Sequence, residues 1–178
     1  MNTKNSTPPL LHRQVPLLAL WVLGAGSAIA KPVITNLGLL SGGSFPASYS
    51  SGISADGLVV TGQSSSSAGT RAFRWTAAGG LKNLGALPGF TYYSVGSALS
   101  ADGAVITGVS YGPGLATGRG FHWSAATGMQ SLGVLGTGSQ SVGNAISADG
   151  LVIVGGSYTM LCLTLIVLDI LEMVDMCR

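Results

Sequence analysis

The chain is poor in charge. Of its 178 residues only 8% are Asp, Glu, Lys or Arg, against about 25% in an ordinary soluble domain. The formal net charge of +2 leaves no basic stripe of the kind that holds a nucleic-acid backbone, so no nucleic-acid partner is expected. Acids are scarcer than bases, with Glu172 as the single glutamate, and His122 is the one histidine beyond the first thirty positions. That supply is thin for general acid–base chemistry, which needs a titratable group within reach of the proton it moves. Two cysteines, Cys162 and Cys177, lie near the C-terminus. An oxidising compartment would permit them to pair without requiring it, and their spacing fits no zinc pattern. No metal and no cofactor is expected.

What the chain does have is glycine, serine and branched apolar residues. There are 28 Gly, and Ser crowds between positions 41 and 67. Together with many Val, Leu and Ile this composition suits turn-rich β-structure, since disordered chains are more polar and carry few β-branched residues.

The first thirty positions read differently from the rest. Lys4, His12 and Arg13 precede an apolar run through Val15, Leu17, Leu18, Leu20, Trp21, Val22 and Leu23, and the run closes on Ala28-Ile29-Ala30. Charge, a short apolar core and an A-x-A end describe a secretory signal peptide, predicted over 1–30 with Lys31 as the first mature residue. A membrane anchor is the rival reading, but about 18 apolar residues are needed to span, and Gly24, Gly26 and Ser27 interrupt the run. The chain is expected to be exported, to the extracellular space, cell surface or periplasm, with no spanning segment in its mature part.

Beyond position 36 the sequence repeats itself. Ser-Ala-Asp-Gly occurs at Ser54, Ser100 and Ser147; Trp75 returns as Trp123; Leu37-Gly38 returns as Leu84-Gly85 and Leu132-Gly133. The period is about 47 residues, between those of the WD40 and kelch blades. In the first unit Asp56-Gly57 sits between two apolar runs, a hairpin signal that predicts a type I′ turn. A Gly- and Ser-rich loop is expected over 63–70, then a strand at 71–76 whose alternation puts Phe73 and Trp75 on one face. A turn at 77–80 and a strand at 81–87 complete four short antiparallel strands. The predicted fold is all-β and propeller-like, with units at roughly 50–96, 97–143 and a partial 144–157 inside a repeat region 31–157.

At about Tyr158 the pattern changes. A third Trp is due between positions 168 and 170, where Leu168, Asp169 and Ile170 stand. The segment 158–178 is apolar and then places Asp169, Glu172 and Asp175 three residues apart, a spacing that predicts an amphipathic helix. The same shift predicts a truncated or frameshifted product.

The candidate functional residues have plain structural readings beside them. Asp56, Asp102 and Asp149 each precede a glycine, Gly57, Gly103 and Gly150, where an Asp side chain ordinarily bonds its own turn. They are read as turn residues, not as catalytic or metal-binding carboxylates. Gly108-Val109-Ser110-Tyr111-Gly112 matches G-x-S-x-G, but His122 precedes Asp149, so the acid-then-histidine order of that hydrolase class is missing. Phe73, Trp75, Phe121 and Trp123 are read as core between units. Arg74 and His122 stand at equivalent strand positions, with Arg71 and Arg119 opening those strands; solvated strand positions are expected, with ligand contact as the sharper alternative. Tyr92 and Tyr93, in the link between units, are the other candidate ligand contacts.

Arg71-Ala72-Phe73-Arg74-Trp75, Leu84-Gly85-x-Leu87 and Ile53-Ser54-Ala55-Asp56-Gly57 together resemble the HAF repeats of bacterial exported proteins. The likeness covers about 37–157. It departs from the name-giving His-Ala-Phe, with Arg71 in the His place of one unit and Arg119-Gly120-Phe121 in the other. The resemblance implies a surface-exposed or secreted protein, often an autotransporter passenger, and carries no catalytic residues with it. The expected function is therefore an exported, non-catalytic module for surface display or adhesin-like binding of a surface or glycan ligand. A polysaccharide-active propeller enzyme is the alternative. An array of so few units also leaves edge strands, so the expectation is self-association through them, capping by the tail, or origin as a fragment of a longer product.

Overall fold

A computed structural model describes residues 34–115, 117–159, 162–169 and 172–173; the predicted leader and Cys177 lie outside them. Strands β1 (Ser48–Ile53), β2 (Val59–Ser66), β3 (Gly69–Thr76) and β4 (Gly80–Gly85) form an antiparallel sheet in chain order. Strands β5 (Tyr93–Leu99), β6 (Val105–Tyr111), β7 (Gly118–Ser124) and β8 (Gly128–Gly133) repeat that order. A third set follows as β9 (Gln140–Ile146), β10 (Val152–Thr159), β11 (Cys162–Asp169) and β12 (Glu172–Met173). A single parallel pair, Gly118↔Gln140, joins the second set to the third. The architecture is an all-β, propeller-like array, and each four-stranded set is a blade. No helix among the described residues is long and apolar enough to cross a membrane.

The tail departs from its sequence reading. In place of an amphipathic helix, β11 pairs with β10 along its whole length, from Val152↔Asp169 to Thr159↔Cys162. It holds the place that β3 and β7 hold in the first two blades, so a third set of strands continues beyond position 157. A short run such as Leu163-Thr164-Leu165-Ile166-Val167-Leu168 is ambiguous between helix and buried strand by periodicity alone. Here an open edge of β10 offers it backbone partners. Asp169 and Glu172, which the helical spacing placed on one face, are register partners in the antiparallel pairing of β11 with β12.

The serine-rich stretch is also strand where a loop was predicted. Gln63, Ser64, Ser65 and Ser66 pair with residues of β3 out to Ser66↔Gly69, and Ser64 and Ser66 are buried. Buried serines are acceptable in a strand only when each hydroxyl finds a partner. Ser64 accepts from the Leu40 N–H at 3.1 Å, and the Ser66 hydroxyl donates to the Gly69 carbonyl at 2.7 Å.

Alternation along β3 and β7 drives the packing between blades. Phe73 and Phe121 are wholly buried, and Ala72, Leu84, Leu87, Ile106, Phe121 and Trp123 form one cluster across the first junction. Burying an aromatic or large aliphatic side chain contributes roughly 1.5–3 kcal/mol. Trp123 has the Lys82 ammonium of the preceding blade over its ring at 5.4 Å. Trp75 belongs to the first described blade and is only half-buried, so its reading as core holds less fully than that of the other three aromatics.

The blades approach closely because a glycine recurs on the first strand of each following blade. A Cβ at Gly96 would overlap the Thr61 hydroxyl of the preceding blade, and one at Gly143 would overlap that of Thr107. Those threonines are themselves buried and donate to the Phe73 and Phe121 carbonyls, both at 2.8 Å.

Candidate functional site

The three Ser-Ala-Asp-Gly copies form the same turn. In the first, Gly57 N–H donates to the Ser54 carbonyl at 2.9 Å, and the Ser54 hydroxyl and Leu58 N–H donate to Asp56 Oδ1 at 2.6 and 2.9 Å. Asp102 takes the same pair from Ser100 and Ala104, and Asp149 from Ser147 and Leu151. Positive φ falls only on the glycine, at 75° for Gly57, 64° for Gly103 and 76° for Gly150. The predicted type I′ geometry, which needs positive φ on Asp as well, is therefore not formed. The residue pair is right for a hairpin, but the Ser–Asp bond shifts the left-handed step to the glycine alone.

These bonds hold the three carboxyls below the ordinary carboxylate range, the serine hydroxyl first and the backbone N–H second. Hydrogen bonds to an ionised form favour that form. The carboxylates are engaged by their own turns while remaining at the surface. The turns also stack: Ala55 N–H donates to the Ala101 carbonyl and Ala101 N–H to that of Ala148, both at 2.9 Å. Asp56, Asp102 and Asp149 thus lie in a row along one end of the array.

The basic residues are more deeply used than solvated strand positions would be. Arg71 is buried, and its guanidinium donates to the Thr70, Thr91 and Tyr92 carbonyls at 2.8, 2.7 and 3.4 Å, clamping the link to the next blade. Arg119 does the same one blade on, donating to the Gly118 and Ser139 carbonyls and lying over the Phe90 ring at 5.0 Å. Arg74 donates from Nε to the Gly103 carbonyl at 2.9 Å, tying β3 to the following turn. His122 is half-buried, and burial lowers its pKa. Arg74, like His122, is half-buried.

Tyrosines gather at the other end of the inner strands. Tyr92 is 57% exposed, as a link residue should be. Tyr93, expected in the link, opens β5: its hydroxyl bonds to Gln63 Oε1 and its ring lies 6.0 Å from that of Tyr111 at 46°. Burial raises the pKa of both Tyr93 and Tyr111. Tyr111 and Tyr158 stand at the same offset from Asp102 and Asp149, a regularity in the sequence that marks this aromatic rim.

Sequence reasoning missed the buried serines. Ser94, Ser110, Ser141 and Ser157 are at most 1% exposed, and each bridges two backbone groups across a junction. Ser94 accepts from Ala72 N–H at 3.0 Å and donates to the Gly85 carbonyl at 2.6 Å; Ser110 accepts from Leu87 N–H at 3.0 Å and donates to the Phe90 carbonyl at 2.8 Å. Ser141 repeats the first pattern with Gly120 and Gly133, and Ser157 accepts from Leu135 N–H as Ser110 does from Leu87 while donating to the Gln140 carbonyl of β9. Ser110, the serine of the G-x-S-x-G match, is thus a joint within the array. The signal was available as a serine recurring eight residues before and eight residues after the Asp of each Ser-Ala-Asp-Gly copy.

Beside β1 lies an open groove of about 700 Å³, lined in part by Leu37, Gly38, Leu39, Ser48, Tyr49 and Ser50. Among the described residues, no three of His, Cys, Asp or Glu gather to hold a metal ion.

No family model matches the chain, and no curated protein matches it. Among solved structures it is similar to the crystal structure of TolB from Acinetobacter baumannii, a β-propeller, with a TM-score of 0.50 and 16% identity over 69% of this chain. The match covers 30% of the TolB chain, so this chain spans less than a third of its neighbour. The likeness concerns fold alone, and it agrees with the blade pattern read from the repeat.

Proposed function

We propose that the chain is an exported, non-catalytic binding module whose blades display an adhesin-like or passenger-like surface to a surface or glycan ligand. The observation that carries this reading is how the polar groups are used. Asp56, Asp102 and Asp149 are committed to their own turns, Arg71 and Arg119 to the links, and Ser110 to a junction. The array thus spends its chemistry on holding blades together. The exposed Tyr92 and the rim of Tyr93, Tyr111 and Tyr158 offer rings with a polar tip, the side-chain type suited to a partly wet interface. Export rests on the charged, apolar and small-residue pattern of the first thirty positions, and the propeller-like fold is compatible with it.

A glycan array run beside a turnover assay on polysaccharides tests the proposal. Retention of one or more glycans with no release of sugar, and weaker retention by Tyr92→Ala, is the expected result. Turnover that disappears in Asp102→Asn while the thermal transition persists would establish the chain as an enzyme.

A further inference from the structure

The groove beside β1 has two filled counterparts inside the molecule. At the first junction, residue Ala72 of β3 lies between the Leu84-Gly85 block and Ser94: its N–H donates to Ser94 Oγ, which donates onward to the Gly85 carbonyl. At the second, Gly120 of β7 lies in the same way between Leu132-Gly133 and Ser141. Upstream of β1 the same parts recur, with Leu37-Gly38 in the place of the Leu-Gly block and Ser48 in the place of Ser94 and Ser141. Leu40 N–H is held by Ser64 as Leu87 N–H is by Ser110, so the block is seated in its usual position. Residues 34–40 form no strand pairing. Among the described residues no strand lies between the block and Ser48; a groove stands where the other junctions hold one, and Ser48 is only half-buried where Ser94 and Ser141 are buried.

Position 50 decides what can enter. Gly96 and Gly143 are its counterparts, and there the preceding blade's Thr61 or Thr107 hydroxyl presses against the bare Cα while donating to the Phe73 or Phe121 carbonyl. Ser50 has a side chain in that space. A complete preceding blade, with its own second strand, would collide with it. A single strand would not, and on the reading that follows the Ser50 hydroxyl supplies the bond that the threonine supplies elsewhere.

We propose that this groove is a slot for one extended segment of a partner polypeptide, added beside the Leu37-Gly38 block with a small residue at Ser48 and a large apolar residue after it. The small-then-large requirement is read from Ala72-Phe73 and Gly120-Phe121, the two occupants already in place. Strand addition of this type takes affinity from main-chain bonds and specificity from the pockets for alternate side chains, and a volume of about 700 Å³ falls in the usual range for ligand sites. A second copy of the chain is a poor donor, because β3, β7 and β11 are each paired on both sides. The inference rests on the binding-module reading and names one site and one ligand class for it.

The test uses the purified full chain and a fluorescent peptide of sequence GTRAFRWT, that of β3. Saturable binding by anisotropy is expected, weakened at least tenfold when the peptide's single Ala is replaced by Leu. Ser48→Val should weaken it at least tenfold. Ser50→Ala, at an exposed position where folding is not at stake, should weaken it about threefold, the loss of one modest hydrogen bond. Equal binding of a scrambled peptide, no binding at millimolar peptide, or indifference to both substitutions would each overturn the slot. So would concentration-dependent dimerisation that Ser48→Val abolishes, which would make a second copy the occupant. Glycan retention without peptide binding defeats the slot and leaves the display reading standing; polysaccharide turnover with peptide binding does the reverse.

Discussion

The two ends of a repeat use serine in opposite ways. At the turn, Ser54, Ser100 and Ser147 bond an aspartate two residues away, so the contact is local and forms within one hairpin. At the junction, Ser94 and Ser141 bond backbone groups of the preceding blade, so the contact exists only once two blades are packed. The turn shapes each blade by itself, whereas the junction makes the blades one body. The turn carboxylates lie at the surface, where their bonds compete with water and are modest, while a buried group left without its partner bears the full desolvation cost. The junction should therefore govern stability and the turn should tune it.

Removing Phe121 strikes the junction hardest. The side chain is wholly buried in the cluster that joins the first two blades, and Phe121→Ala should cost about 3–5 kcal/mol, the usual range for a large aromatic cavity. Thermal or urea unfolding measures it, and a loss under about 1 kcal/mol would mean that the blades do not depend on this contact.

Ser94→Ala isolates the polar part of the same junction. It leaves Ala72 N–H and the Gly85 carbonyl without their bridge, at a cost of roughly 1–3 kcal/mol. Ser97→Ala, at a half-buried position of the same strand, should change little, and equal losses in the two variants would show that the buried bridge is not what Ser94 contributes.

This contrast also explains what could be read from the sequence. The blade period, the turns and the buried pair Phe73 and Phe121 were legible, because each is written in short-range spacing or strand alternation. The junction serines were hidden because their partners lie 8 to 23 residues away and are backbone atoms, which carry no residue identity. Arg71 looked like a solvent-facing strand end for the same reason: its acceptors are the carbonyls of Thr70, Thr91 and Tyr92. The tail misled because a short apolar run suits either period, and pairing with β10 decided the matter from outside the segment. Of the candidate contacts, Tyr92 is an exposed link residue, while Tyr93 bonds Gln63 and Arg74 bonds the Gly103 carbonyl, partners the sequence did not announce.

A weaker effect is expected at the turn. The folded carboxyls of Asp56, Asp102 and Asp149 lose their protons more readily than in the unfolded chain, first through the serine hydroxyl and then through the backbone N–H. Their stabilising share is complete above the ordinary carboxylate value of about 3.9 and is lost as pH falls through the lower folded value. Asp102→Asn should lower the urea midpoint slightly at pH 7 and narrow the gap between its midpoints at pH 7 and pH 3. A variant as acid-sensitive as the parent would show that the turn carboxylate is not the titrating group.

The smallest effect belongs to the place where the two blades differ within the junction itself. Arg74 in the first blade reaches the Gly103 carbonyl of the next turn at 2.9 Å; its counterpart is His122, whose pKa burial lowers. A folded pKa below the ordinary value of about 6.5 means that the unfolded chain binds the extra proton first, so stability is full above that value and declines as pH falls towards the folded one. His122→Gln should flatten the dependence of the urea midpoint between about pH 7 and 5, where only an unperturbed histidine would change charge. His122→Arg should also remove the slope and add about 0.5–1 kcal/mol if the guanidinium reaches the Gly150 carbonyl as Arg74 reaches Gly103. A slope that survives both substitutions would place its source outside this strand, and an arginine that destabilises would show that the two junctions are not interchangeable.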